Sequence, residues 1–145
     1  MTDRVWRRLL QIETLLALLL VRLALPLIPF RYVSWMLGPI TAADTFVPTS
    51  PGPRNMVRAR GTAQRVAGVA NALPWHSTCL VRALALVVLL RRRGISGACI
   101  RFGVTFKDSA LTAHAWVLLD QEVLIGGGSA MQDYVPLADL ISART

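Results

Sequence analysis

The pattern of hydrophobic and polar positions changes its period once along the chain, near residue 94. Before that point the apolar residues recur at helical spacing, with prolines and glycines between the periodic segments. This pattern predicts helices over residues 4–25 (ended by Pro26), Phe30 to Leu37, Val57 to Leu73 and Leu80 to Leu90. Residues 39–54 contain four prolines and predict a loop.

After Gly94 the apolar residues alternate with a period of two, which is typical of strands. The alternation predicts strands over Ala98 to Phe106, Ala113 to Leu118 and Glu122 to Ile125, with turns at Lys107-Asp108-Ser109 and around Asp120-Gln121. A short helix is predicted over Pro136 to Ile141. Helices first and strands afterwards predict an α+β fold.

Length and charge narrow the class of protein. A chain of 145 residues predicts a single domain, 1–145, with a sizeable core. The hydrophobic content of 54% and the net charge of +8 favour a protein that packs tightly, docks on a partner, or binds an acidic peptide or lipid. The arginines are scattered apart from Arg91, Arg92 and Arg93 at a predicted helix end, so a nucleic-acid partner is not expected.

The N-terminal stretch superficially resembles a signal peptide, because arginines precede an apolar run from Leu15 to Phe30. Arg22 interrupts that run, and the uncharged core from Leu15 to Val21 is shorter than the ~20 residues that a membrane span needs. No small-residue cleavage site follows. We therefore expect an apolar helix of a cytoplasmic protein, with peripheral membrane contact left open.

The candidate chemistry centres on Cys79, which follows two good N-cap residue types, Ser77 and Thr78. A helix N-terminus favours a thiolate, and its free N–H groups also suit an oxyanion. The alternative interpretation is a small buried thiol without chemistry. His114 lies on an otherwise apolar strand, where a polar group needs a partner, and Cys79 is the obvious one.

The remaining chemistry-bearing residues have weaker signals. Cys99 lies mid-strand without a flanking base and is interpreted as structural. His76 and Trp75 precede the predicted cap and could border a cleft or an oxyanion site, or simply be surface and packing residues. Cys79 with the two histidines, His76 and His114, would leave a zinc ion without a fourth ligand. No metal or cofactor is expected.

Three segments together resemble the leader peptidases of lasso-peptide biosynthesis, which are transglutaminase-like cysteine proteases of ribosomally synthesised natural products. These segments are Leu73 to Leu84 (LPWHSTCLVRAL), Leu89 to Ile95 (LLRRRGI) and Ala113 to Val117 (AHAWV). The resemblance covers nearly the whole chain and implies a papain/transglutaminase-like fold. In that fold N-terminal helices precede a core in which the catalytic cysteine, at a helix N-terminus, packs on a small antiparallel sheet.

The resemblance also implies roles and partners. Cys79 would be the nucleophile and His114 the base, in a chain that removes the leader of a precursor peptide. The excess of apolar residues and arginine further predicts that residues 1–75 contribute to docking, while residues 76–145 would form the catalytic core. The implied partners are the precursor's leader region and a separate leader-recognition protein, with the lasso cyclase and a membrane surface as further candidates. Another amide-transfer reaction, or an arginine-rich adaptor without activity, remain the alternatives.

The third triad member departs from the family pattern. An Asp is expected about twelve residues after the histidine, where this chain has Gly126. On the assumption of a three-residue hairpin loop at Leu119-Asp120-Gln121, His114 would lie opposite Gly126. Asp120 is a poor orienter because it lies in the turn, ~20 Å along the strand from His114. The candidates that stay open are Ser129, Gln132, Asp133, a backbone carbonyl, or no third member.

Overall fold

The computed structural model describes residues 2–43 and 50–142, without the side chains of residues 129 and 130. Its four helices confirm the helical pattern. They are α1 (Thr2–Leu27), α2 (Phe30–Leu37), α3 (Pro53–Ala72) and α4 (Cys79–Arg92). Helix α3 begins four residues earlier than predicted, since Pro53 occupies its first turn, where a missing N–H and a fixed φ suit the helix.

Five antiparallel strands form one sheet in the order β1-β5-β2-β3-β4. They are β1 (Ile40–Ala42), β2 (Cys99–Lys107), β3 (Ala110–Leu119), β4 (Glu122–Ile125) and β5 (Val135–Ile141). A short 3-10 helix, Ser129–Asp133, connects β4 to β5. Helices followed by this sheet confirm the α+β class.

The predicted helix over Pro136 to Ile141 is wrong, because this segment is strand β5, between β1 and β2. Six residues carry too little periodicity to separate a helix from a strand, and pairing with two distant strands decides the outcome. Pro136 lies where the β2–β5 register shifts, a position at which a strand tolerates a residue without an N–H. The predicted loop 39–54 likewise contains strand β1, while residues 44–49 lie outside the described residues.

The β2–β3 hairpin and the β3–β4 hairpin each turn through two residues with positive φ, which is the geometry of type I′ turns. The assumed three-residue loop is therefore wrong, because Leu119 pairs with Glu122 across Asp120 and Gln121. A bulge then shifts the register, so that Val117 lies opposite Ile125. The β3–β4 pairing stops at this pair, where β4 ends, and so does not reach His114.

Helix α4 lies at the centre of the core and contacts α1, α3 and strand β3. Its continuous apolar sequence follows from this position, since eight of its fourteen residues are buried. Leu86, Leu89 and Leu90 are almost fully buried, and each such side chain stabilises the fold by about 1.5–3 kcal/mol relative to exposure. The helix that begins at Cys79 is thus a rigid support for its own first residue.

The arginine run at the end of α4 binds the N-terminal helices. Arg91 donates to the Met36 carbonyl oxygen of α2 at 2.6 Å. Arg92 and Arg93 both pair with Glu13 of α1, at 3.2 and 2.5 Å. Burial lowers the pKa of Arg93, whose side chain is 14% exposed. These cations therefore hold the helices together.

Helix α1 has one buried and one exposed apolar side. Thr14, Ala17 and Leu18 face the core. By length and composition alone α1 could cross a membrane, a criterion that core helices and N-terminal signal sequences also meet. Helix α1 is therefore apolar over a longer stretch than the uncharged run from Leu15 to Val21 indicates.

Candidate active site

Thr78 caps the helix that carries Cys79. Its hydroxyl accepts the N–H of Val81 at 3.3 Å, and its carbonyl accepts the N–H of Arg82 at 3.1 Å. The backbone of Thr78 is extended, as an N-cap requires, so Cys79 is the first residue of α4. The N-cap thus fixes where the thiol lies relative to the positive end of the helix dipole.

A residue of α1 holds the segment that leads to the cap. Arg22 donates through Nη1 to the His76 carbonyl oxygen at 3.1 Å, and its guanidinium lies 5.6 Å from the ring centroid of Trp75. Both contacts join α1 to the chain just before Cys79. No pattern in the sequence indicates this role for Arg22, because the contact spans 54 residues.

Cys79 and His114 line one cleft of about 280 Å³. The thiol is half-buried. The remaining lining residues are His76, Ser77, Arg82, Ile125 and Gly126. The predicted nucleophile, the predicted base and the predicted cleft-edge residue His76 are thereby brought together, while Trp75 lies next to this lining and stacks with Arg22.

A backbone carbonyl orients His114. Its Nε2 lies 2.8 Å from the Gly126 carbonyl oxygen. Because a carbonyl oxygen only accepts hydrogen bonds, Nε2 carries the proton in this contact. In the neutral ring this leaves the lone pair on Nδ1, the atom that can accept a proton from a thiol.

Two aromatic side chains fix the plane of the imidazole. Trp116 stacks with it at a centroid distance of 6.0 Å, and Tyr134 contacts it at 5.3 Å. Trp116 follows His114 on the same face of β3. Tyr134 comes from the segment just before β5, and the sequence pattern does not indicate that it reaches the site.

Gly126 explains why a carboxylate does not occupy the expected position. Its φ is +83°, and a Cβ atom there would lie 2.8 Å from the Ala115 carbonyl oxygen and 2.9 Å from Cβ of Trp116. Any L side chain at this position needs a backbone shift. The residue that replaces the expected Asp therefore contributes its main chain to His114.

The other open candidates for the third member lie elsewhere. Asp120 is exposed in its turn, and Gln132 and Asp133 are exposed in the 3-10 helix. The side chain of Ser129 lies outside the described residues. Among the described contacts of His114, the Gly126 carbonyl oxygen is the hydrogen-bond acceptor.

Cys99 has the surroundings of an inert thiol. It is 1% exposed in β2, and burial, together with the nearby Asp139 carboxylate, raises the pKa of this thiol to about 12. It therefore stays protonated at neutral pH, which fits the structural role expected from the sequence. The described residues contain no group of three or more His, Cys, Asp or Glu side chains placed to hold a metal ion.

Comparison with known families agrees with this architecture. The family model of the transglutaminase-like superfamily matches residues 24–139, a span that includes both Cys79 and His114. The chain belongs to the transglutaminase-like superfamily. No curated protein and no solved structure matches the chain significantly. Because this superfamily consists typically of cysteine-dependent proteases and amide-transfer enzymes, the match supports an enzyme of that broad class.

Proposed function

We propose that this chain is a cysteine peptidase that removes the leader from a ribosomally synthesised lasso-peptide precursor. The observation that carries the proposal is a cleft in which Cys79, at a capped helix N-terminus, accompanies a histidine whose tautomer is set by a carbonyl. Superfamily membership supports the chemistry. The resemblance of residues 73–84 and 113–117 to lasso leader peptidases supports the substrate.

The proposed reaction is acyl transfer in two steps. Nδ1 of His114 takes the thiol proton, and Sγ of Cys79 attacks the scissile carbonyl carbon. The Cys79 N–H, which lies in the first helical turn without an intrahelical acceptor, donates to the oxyanion, together with a group near Trp75 or His76. The C–N bond then breaks, and His114 protonates the departing amine, which is the new N-terminus of the core peptide.

Water completes the cycle by hydrolysing the thioester. His114 takes a proton from the water, the C–S bond breaks, and the leader leaves as a carboxylic acid while the thiol is restored. The Gly126 carbonyl holds the imidazole in place throughout by accepting the Nε2 proton. It carries no full charge, and among the described residues no carboxylate is hydrogen-bonded to His114.

The test uses the two cysteines as a matched pair. Wild-type protein, Cys79→Ala and Cys99→Ala are each incubated with the precursor peptide encoded beside the protease and with its leader-recognition protein. Cleavage is followed by mass spectrometry. The proposal expects cleavage by wild type and Cys99→Ala, and none by Cys79→Ala. Undiminished leader removal by Cys79→Ala would refute the peptidase proposal.

Amide transfer is the second candidate function, because the superfamily includes it. The same mass measurement separates the two reactions. After hydrolysis, the summed mass of the leader and core peptides exceeds that of the precursor by one water. After transfer to an added primary amine, the sum exceeds it by the mass of that amine, which is attached to the leader. An amine-bearing leader as the main product would favour transfer.

We further propose that the outer side of α1 docks the leader-recognition protein in the cytoplasm. Seven large apolar side chains, each more than half exposed, recur along this helix at intervals of three and four residues, namely Val5, Leu9, Ile12, Leu16, Leu20, Leu23 and Leu27. Such a stripe is typical of a contact surface.

Leu16→Glu is expected to abolish co-elution with the recognition protein. Unchanged co-elution would contradict this docking, and loss of binding to anionic vesicles instead would assign the stripe to a membrane.

A further inference from the structure

The cleft contains two hydrogen-bond donors that have no acceptor among the described residues. The Ser77 hydroxyl is buried, in a residue that is 7% exposed, and Nε of the half-buried Arg82 is likewise buried without a partner. Leaving such groups unpaired is unfavourable, most of all for a charged donor. Both residues line the same cleft as Cys79 and His114. Because both atoms are shielded from solvent, a ligand in the cleft would become their partner when the two side chains turn toward it.

Arg82 and Cys79 lie on the same face of α4. Arg82 follows Cys79 by three residues on α4, and side chains at this spacing lie on one face of a helix with Cβ atoms about 5–6 Å apart. Ser77 precedes Cys79 by two residues. Of the described residues, those that line the cleft include no Asp or Glu, so the counter-ion of Arg82 is not supplied from its wall.

We propose that Arg82, together with Ser77, binds a carboxylate of the substrate, carried by an acidic side chain close to the scissile bond. A guanidinium presents N–H groups in a planar fork that matches the two oxygens of a carboxylate, and a serine hydroxyl donates a further hydrogen bond. The Arg82 Nε can only donate and the Ser77 hydroxyl can donate, whereas a carboxylate offers only acceptors. That the carboxylate belongs to a peptide rests on the proposed function; the binding site itself does not.

Two alkylating reagents that differ in one group test the site directly. Iodoacetate carries a carboxylate and iodoacetamide the corresponding neutral amide. The ratio of their rates with Cys79 reports carboxylate binding, because the fraction of thiolate affects both rates equally. The buried and protonated Cys99 does not contribute. Rates are followed by intact-protein mass at neutral pH and constant ionic strength.

Arg82→Gln is expected to lower the iodoacetate-to-iodoacetamide ratio about tenfold, as the loss of a charge-assisted hydrogen-bonded pair implies. Arg54→Gln, an exposed position on α3, is the control because it removes the same charge from the protein, and it should change the ratio less than about twofold. Equal changes in both variants would assign the preference to net charge and overturn the proposal. An unchanged ratio in Arg82→Gln would overturn it as well.

Two milder substitutions keep the test informative if Arg82→Gln folds poorly. Arg82→Lys retains the charge without the fork, and Ser77→Ala removes only the hydroxyl. Each is expected to lower the ratio about threefold, as the loss of part of the hydrogen bonding implies. A wild-type ratio in both would contradict the proposed site.

A second arm connects the site to the peptide. Each acidic residue near the cleaved bond of the precursor is changed in turn to its amide. One change should lower kcat/KM about tenfold with wild-type protein and have little effect with Arg82→Gln, because the two groups are coupled. Additive losses would overturn peptide recognition by Arg82. If wild type cleaves no precursor while the reagent preference persists, the peptidase proposal fails and the carboxylate site stands.

Discussion

Gly126→Ala tests how the imidazole of His114 is held. In this chain a glycine provides the hydrogen-bond acceptor for Nε2 at 2.8 Å, and it does so with a φ of +83°. The substitution adds one methyl group and removes no existing side-chain contact. Any effect therefore arises from the backbone of residue 126 and from the groups that the new Cβ meets.

The expected magnitude follows from two costs. A left-handed conformation costs an L residue about 1–2 kcal/mol. The Cβ atom would also lie 2.8 Å from a backbone oxygen of Ala115, so the main chain must shift. We expect a loss of about 2–3 kcal/mol of unfolding free energy, or about 5–10 °C in Tm for a domain of this size. The same shift moves the carbonyl away from His114, and kcat/KM should fall at least about tenfold, since base catalysis depends on orientation.

Gly128→Ala is the matched control. Residue 128 has an extended backbone with φ 169°, and a Cβ there would meet nothing within 4 Å. Thermal unfolding by circular dichroism and precursor cleavage are measured for both variants. Gly128→Ala should resemble wild type in both assays. If Gly126→Ala were equally stable and equally active, the account of His114 held by the carbonyl of a left-handed glycine would be refuted.

Three further predictions concern the cap, the missing carboxylate and the second thiol. Thr78→Ala should cost about 1 kcal/mol of stability, because it removes the acceptor of the first helical turn, and an unchanged Tm would contradict the cap. Asp120→Asn and Asp133→Asn should each keep kcat/KM within about twofold, since neither carboxylate is hydrogen-bonded to His114. A loss of about 100-fold or more, the usual size of a general acid–base contribution, would contradict this expectation. For Cys99, the folded-state pKa of about 12 lies above the ordinary thiol value of 9.0, so the unfolded chain loses this proton first as pH rises. Stability should therefore fall between about pH 9 and 12 in urea titrations, and Cys99→Ala should lose less over that window.

The helices were predictable because their signals are local. Apolar residues at helical spacing, a good cap type at Thr78 and a glycine after the arginine run place α4 to within one residue at its start. The sequence also indicates that Cys79 and His114 lie near each other, and both line one cleft, although the described hydrogen bond of His114 goes to the Gly126 carbonyl oxygen. Each of these inferences depends on neighbouring residues or on a single long-range assumption.

The parts that were not predictable depend on distant contacts. Strand β5 forms because β1 and β2 supply partners on both sides, and nothing within Pro136 to Ile141 reveals them. The β3–β4 bulge sets a register that a count of loop residues cannot give. A backbone carbonyl was among the candidates for the group that orients His114, but the sequence does not single out that of Gly126, because every residue type has one.

The most direct test of the central claim is the intact mass of the protein during turnover. Wild-type protein is mixed with precursor and recognition protein and quenched in acid within the first turnover. We predict a species heavier than the free protein by the mass of the leader acyl group, mapped by peptide digestion to a thioester on Cys79. Precursor cleavage without such an adduct, and persisting in Cys79→Ala, would contradict the assignment of Cys79 as the nucleophile.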